Sequence, residues 1–102
     1  MRSLYINLEA RAPERDCFRA YRIAAGKDLF GAWLVEMTYG RIGTSGRTKA
    51  RSFNNLDAAA AEVRSYLRRR ATAPQRIGTA YVLMAIEWDA EWPKDQLVLP
   101  ET

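Results

Sequence analysis

The chain contains no histidine. That removes the commonest general base, the usual hydrolase triads and most zinc sites together. Cys17 is the only cysteine, so no internal disulfide can form, which fits a reducing, cytoplasmic setting. Long apolar runs are missing as well. The longest, around Leu29–Val35 and Tyr81–Ile86, are far too short to span a bilayer. The opening residues, Met1 to Asn7, carry no apolar stretch of the signal-peptide kind. Proline is scarce, with four residues, and glycine is limited to six. At 102 residues with 48% apolar and 27% charged residues, the composition is that of one globular domain with a modest core. Neither a metal, a cofactor nor an acid–base constellation is expected from these residues.

What the chain does have is unevenly placed positive charge. Residues 1–40 hold six basic and five acidic residues, a net of +1. Residues 41–80 hold nine basic and two acidic, a net of +7, and residues 81–102 hold one basic and five acidic, a net of −4. A basic block followed by an acidic end points to a polyanionic partner for the middle of the chain, or else to a solvated face with an unrelated acidic tail.

Alternating patterns predict strands at Leu4–Glu9, Phe18–Ala24, Ala32–Tyr39 and Arg47–Phe53. Gly26-Lys27-Asp28 is read as one turn, and Gly43, Ser45 and Gly46 as a tight connection closing a hairpin. Asn55 is a good helix N-cap, Asp57 suits the first turn, and Ala58–Ala61 has the highest helix propensity. Leu56, Ala60, Val63 and Leu67 fall on one helical face, Arg64 and Arg68–Arg70 crowd the last turns, and Pro74 is expected to end the helix. Tyr81–Ile86 is a candidate fifth strand. The fold class is therefore α+β: a twisted antiparallel sheet of four or five strands with one helix on one face. Residues 1–86 form the domain, and residues 87–102 an acidic, tryptophan-bearing tail.

The segment Tyr39-Gly40-Arg41-Ile42-Gly43-Thr44-Ser45-Gly46-Arg47-Thr48-Lys49 carries the most information. An aromatic and an arginine stand two apart at a strand end. After the turn, Arg47, Lys49 and Arg51 alternate along a strand, roughly 6.6–6.8 Å apart on one side. That interval is close to the phosphate spacing of a single strand, and an adjacent aromatic could stack on a base. The same pattern would also serve a solvated hairpin edge guarded by cations. A phosphate-binding loop is excluded, because Ser45 or Thr48 stands where its second glycine must be, and the dinucleotide fingerprint lacks both spacing and context.

The run Tyr39 to Thr44, followed by Gly46-Arg47-Thr48-Lys49, then Phe53 and Ala59, resembles the WGR domain, a module of poly(ADP-ribose) polymerases and many small bacterial proteins. The resemblance extends from about Leu4 to Tyr81. The signature tryptophan is replaced by Tyr39, and Gly78 and Tyr81 are separated where the family has them adjacent. The resemblance implies a non-catalytic, nucleic-acid-binding module, with DNA favoured over RNA. Its site would comprise Tyr39, Gly40 and Arg41, with Arg47, Lys49 and Arg51 tracking phosphates. The alternative is a protein-interaction module docking a partner through the sheet edge and the acidic tail. Trp88 and Trp92 are read either as packing residues or as anchors for such a partner. Glu87, Asp89 and Glu91 alternate, so an extended tail could fold back and compete for the basic hairpin.

Overall fold

A computed structural model describes residues 2–93, 97 and 99. Five strands, β1 (Leu4–Ala12), β2 (Cys17–Lys27), β3 (Trp33–Arg41), β4 (Arg47–Phe53) and β5 (Val82–Trp88), form one sheet in the order β4-β3-β2-β1-β5. Every pairing is antiparallel. Helix α1 (Leu56–Ala71) follows β4 and packs against β3 and β4. A five-residue helix, α2 (Ala73–Ile77), continues from it. The fold is thus the expected α+β sheet, with β5 present.

The sheet's core face follows from the alternation. Leu4, Ile6, Leu8, Ala10 and Ala12 are buried on β1; Tyr21, Ile23 and Ala25 on β2; Trp33, Val35 and Met37 on β3. Ala59, Ala60, Val63 and Leu67 of α1 close that core. Asn55 caps the helix as anticipated, its side chain accepting from the Ala58 N–H at 2.8 Å.

Three local readings differ from the structure. Gly26 and Lys27 belong to β2, and the chain turns two residues later, at Asp28–Gly31, because the Asp28 carboxylate accepts from the Phe30 and Ala32 N–H groups. Pro74 does not end the long helix. That helix stops at Ala71, with Thr72 as C-cap, and Pro74 sits in the first turn of α2, where its missing N–H costs nothing. The acidic segment also starts inside the sheet: Glu87 and Trp88 belong to β5, and Trp92 is buried, its ring edge-on to Trp33 at 6.2 Å. The covalent path explains where this segment goes. Because β5 runs antiparallel to β1, it pairs Trp88 with Leu4 and delivers the following residues to the sheet end that holds Lys27 and Trp33.

Candidate nucleic-acid interface

Register places the basic stripe. Trp33, Val35, Met37 and Tyr39 stand directly opposite Phe53, Arg51, Lys49 and Arg47. Directly opposed residues share a sheet face, so the three cations lie on the helix-bearing side, at its open edge. Arg51 is committed to α1, donating to Glu62 Oε2 at 3.0 Å. The Lys49 ammonium lies 6.0 Å from the Tyr39 ring centroid. Arg47 makes no ion pair among the described residues.

The hairpin that holds them is fixed by two glycines in contact. Gly46 adopts φ +70°, and a side chain there would meet the Tyr39 carbonyl oxygen at 2.6 Å. A side chain on Gly40 would meet the Gly46 Cα at 2.8 Å. Both positions therefore require glycine, and the turn brings Arg47 back beside Tyr39.

Beyond Tyr39 the sheet ends in a cleft of about 590 Å³. Arg15, Arg19, Arg41, Arg70 and Arg76 line it, together with Tyr39 and Phe18, and Asp16 is its one carboxylate. Each arginine arrives from a different element. Arg15 lies on the 3-10 turn Pro13–Arg15, where its guanidinium rests on Gly78, whose missing side chain leaves the room. Arg19 stands opposite Arg41 in the β2–β3 register. Arg70 ends α1 and Arg76 lies on α2.

These arginines differ in how they are engaged. Arg41 reaches Asp16 Oδ1 at 3.4 Å and lies 4.9 Å from the Phe18 ring centroid. Its side chain is 56% exposed and that of Asp16 84%, so the pair is a surface one. Arg76 serves the helix end, donating to the Arg69 carbonyl at 2.6 Å and to Thr72 Oγ1 at 3.0 Å. The Arg70 guanidinium sits 4.1 Å from the centroid of the buried Tyr21 ring, which also meets Tyr66 and Tyr81 edge-on. Burial pushes the Tyr21 phenol well above the ordinary tyrosine range, against the opposing pull of Arg70. Tyr66 is raised too, by burial and by its hydrogen bond to Glu62.

Tyr39, Gly40 and Arg41 therefore stand together on the cleft wall. Arg47, Lys49 and Arg51 do not line it; they run from Tyr39 along the edge strand. Sequence reasoning missed Arg15, Arg19, Arg70 and Arg76. Of the Arg68–Arg70 triplet only Arg70 lines the cleft, since successive helix positions diverge by about 100°. Glu87 and Glu91 of the acidic segment lie at the other end of the sheet, Glu87 beside Arg2 at 3.7 Å and Glu91 beside Lys27 at 3.8 Å, so among the described residues neither reaches the basic hairpin.

An antiparallel sheet with one long helix across its face and arginines gathered at one end defines a small α+β module built around a cationic pole. The family model of the WGR domain matches residues 4–73, and the chain belongs to that family. WGR domains are nucleic-acid-binding modules. No curated protein and no solved structure matches the chain. Among the described residues no helix is long and apolar enough to cross a membrane, and no group of side chains is arranged to hold a metal.

Proposed function

We propose that this chain is a non-catalytic module that grips the sugar–phosphate backbone of DNA at the arginine cleft and along β4. The observation that carries the reading is the lining of the cleft: five arginines against one exposed carboxylate, with Tyr39 at the junction to the basic stripe. Arginine forks suit phosphate oxygens bidentately. Tyr39 offers a ring face for a base or sugar, with less area than the family's tryptophan. Backbone contacts position without reading sequence, so affinity should vary little between sequences.

The test is a salt titration of binding to labelled oligonucleotides, single-stranded and duplex, DNA and RNA. A backbone binder loses affinity linearly in log–log form, with a slope of about −0.9 per phosphate neutralised on duplex DNA and about −0.7 on single strands. Absence of salt-dependent binding to every oligonucleotide would refute the reading. Tighter binding to RNA than to DNA would correct the polymer. Trp92 is 3% exposed and spent on the core, so a partner-docking role for the acidic segment would fall to Trp88, which is 43% exposed.

A further inference from the structure

The two basic surfaces do not run the same way. Arg47, Lys49 and Arg51 are alternate residues of β4, so their row follows the strand for about 13 Å. Arg41 and Arg19 are directly opposed on β3 and β2, so their row crosses the strands, at about 5 Å per strand. The cleft carries that second row on to Arg15, on the 3-10 turn that follows β1. The rows meet at Tyr39, which stands opposite Arg47 and two residues before Arg41 on the same sheet face. Because strand pairing is perpendicular to the strands, a polyanion that engages both rows must turn through about a right angle at Tyr39.

Both arms hold cations that the fold has not neutralised. Among the described residues Arg19, Arg47 and Lys49 make no ion pair, and Arg41 has only the exposed Asp16. The crossing arm is narrow. Arg76 and Ile77 of α2 wall it, and its volume of about 590 Å³ equals a sphere roughly 10 Å across, less than the roughly 12 Å of a duplex's major groove alone. A duplex, stiff over about 150 bp, does not turn through a right angle on so short a path. Proteins that kink a duplex drive apolar wedges between its base steps. Tyr39, at this corner, packs against the core instead. A single strand bends freely, so it can lie along β4 and also enter the cleft. Its unpaired bases are free to stack on Tyr39, as paired ones are not.

We propose that the ligand is a single strand of DNA that follows β4, turns at Tyr39 and crosses the sheet end through the arginine cleft. This rests on the backbone-binding reading given above and adds the strandedness of the ligand. The corner demands flexibility and not a free end, so a continuous strand serves. At roughly 6.6–6.8 Å per step, arms of about 13 Å and about 10 Å hold about four or five nucleotides, at the low end of single-strand site sizes.

Competition for a labelled thymidine oligonucleotide at low salt tests this. Three unlabelled competitors are compared at equal phosphate concentration: a linear thymidine strand of about 20 nucleotides, the same strand circularised, and a relaxed, covalently closed duplex circle. The two single strands should compete equally, and about tenfold or more better than the duplex circle. Among shorter linear strands affinity should climb to about five nucleotides and then level off. Arg19→Ala and Lys49→Ala change one exposed cation on each arm, and circular dichroism checks that both stay folded. Each should lower the single-strand salt slope by about 0.7. On the duplex circle, which can lie along one arm only, no more than one of them should change the slope. A duplex circle that competes as well as the strands overturns the proposal and leaves the backbone-binding reading standing. So does a circularised strand that fails to compete, or a single-strand slope that either variant leaves unchanged. Absence of salt-dependent binding to all three competitors removes that reading and the proposal together.

Discussion

Asp16 is the one carboxylate in the cleft wall, and its removal should strengthen nucleic-acid binding. Asp16 has φ +50°, the left-handed region, which asparagine tolerates better than most residues. Asp16→Asn therefore keeps the turn, whose backbone N–H still donates to the Pro13 carbonyl at 3.0 Å. The size of the effect follows from the pair. Two unit charges 3.4 Å apart interact by about 1.2 kcal/mol at the dielectric of water. With both side chains more than half exposed, the realised value is about 0.3–1 kcal/mol. Bound phosphate must displace or share that carboxylate, so the variant should bind about two- to fivefold more tightly at low salt. The gain should shrink toward about 0.2 M salt, where screening is stronger. Fluorescence anisotropy at two salt concentrations measures both, and a thermal melt checks that the fold is unchanged. Unaltered or weaker binding by a folded Asp16→Asn protein would show that phosphate does not approach Arg41 in this cleft.

Arg41→Ala should lose about 1–3 kcal/mol of binding, and Arg41→Lys should recover only part of it, since the fork is gone; the same anisotropy assay reads both. Lys49→Ala should weaken binding about equally across sequences and lower the salt slope by about one, a result that a sequence-selective loss would contradict. Gly46→Ala should destabilise the fold by about 1 kcal/mol or more through left-handed strain, with further cost from the clash at the Tyr39 carbonyl, and a lowered melting temperature will show it. The Tyr21 hydroxyl is buried without a hydrogen-bond partner among the described residues, so Tyr21→Phe should leave stability unchanged or raise it. Because the folded state holds the Tyr21 proton more tightly than the unfolded chain does, stability in the parent protein should fall as pH rises past the ordinary phenol value of about 10. That part of the slope should vanish in Tyr21→Phe, as denaturant titrations at successive pH values will show.

The sheet was legible because its alternation is strict. β4 spans Arg47–Phe53, as the pattern predicts, and the Ala-rich segment after Asn55 forms the helix. Strand lengths were read short at β2, where Gly26 and Lys27 look like a turn until the Asp28 carboxylate is seen to hold one further on. Tyr39, Gly40 and Arg41 could be picked out because they are contiguous. The rest of the cleft could not, because Arg15, Arg19, Arg70 and Arg76 come from four separate elements and meet only through tertiary packing. One clue was available. A β2–β3 hairpin of the right register sets Arg19 opposite Arg41, and two cations facing each other across a sheet need an anion between them or water around them.

The way the chain enters the fold has a practical consequence. The Ser3 N–H donates to the Ala25 carbonyl at 2.7 Å and the Ser3 carbonyl accepts from the Asp89 N–H at 2.9 Å, so β1 begins pinned between β2 and the residue that follows β5. Arg2, just before it, stands on the rim of a hollow beside Leu29. A purification tag or fused domain joined ahead of Arg2 would emerge at that rim, some 26 Å along the strands from Arg41. Such a fusion should leave oligonucleotide affinity intact, because the arginine cleft lies at the opposite end of the sheet. Oligonucleotide titrations on tagged protein should therefore match those on protein freed of its tag.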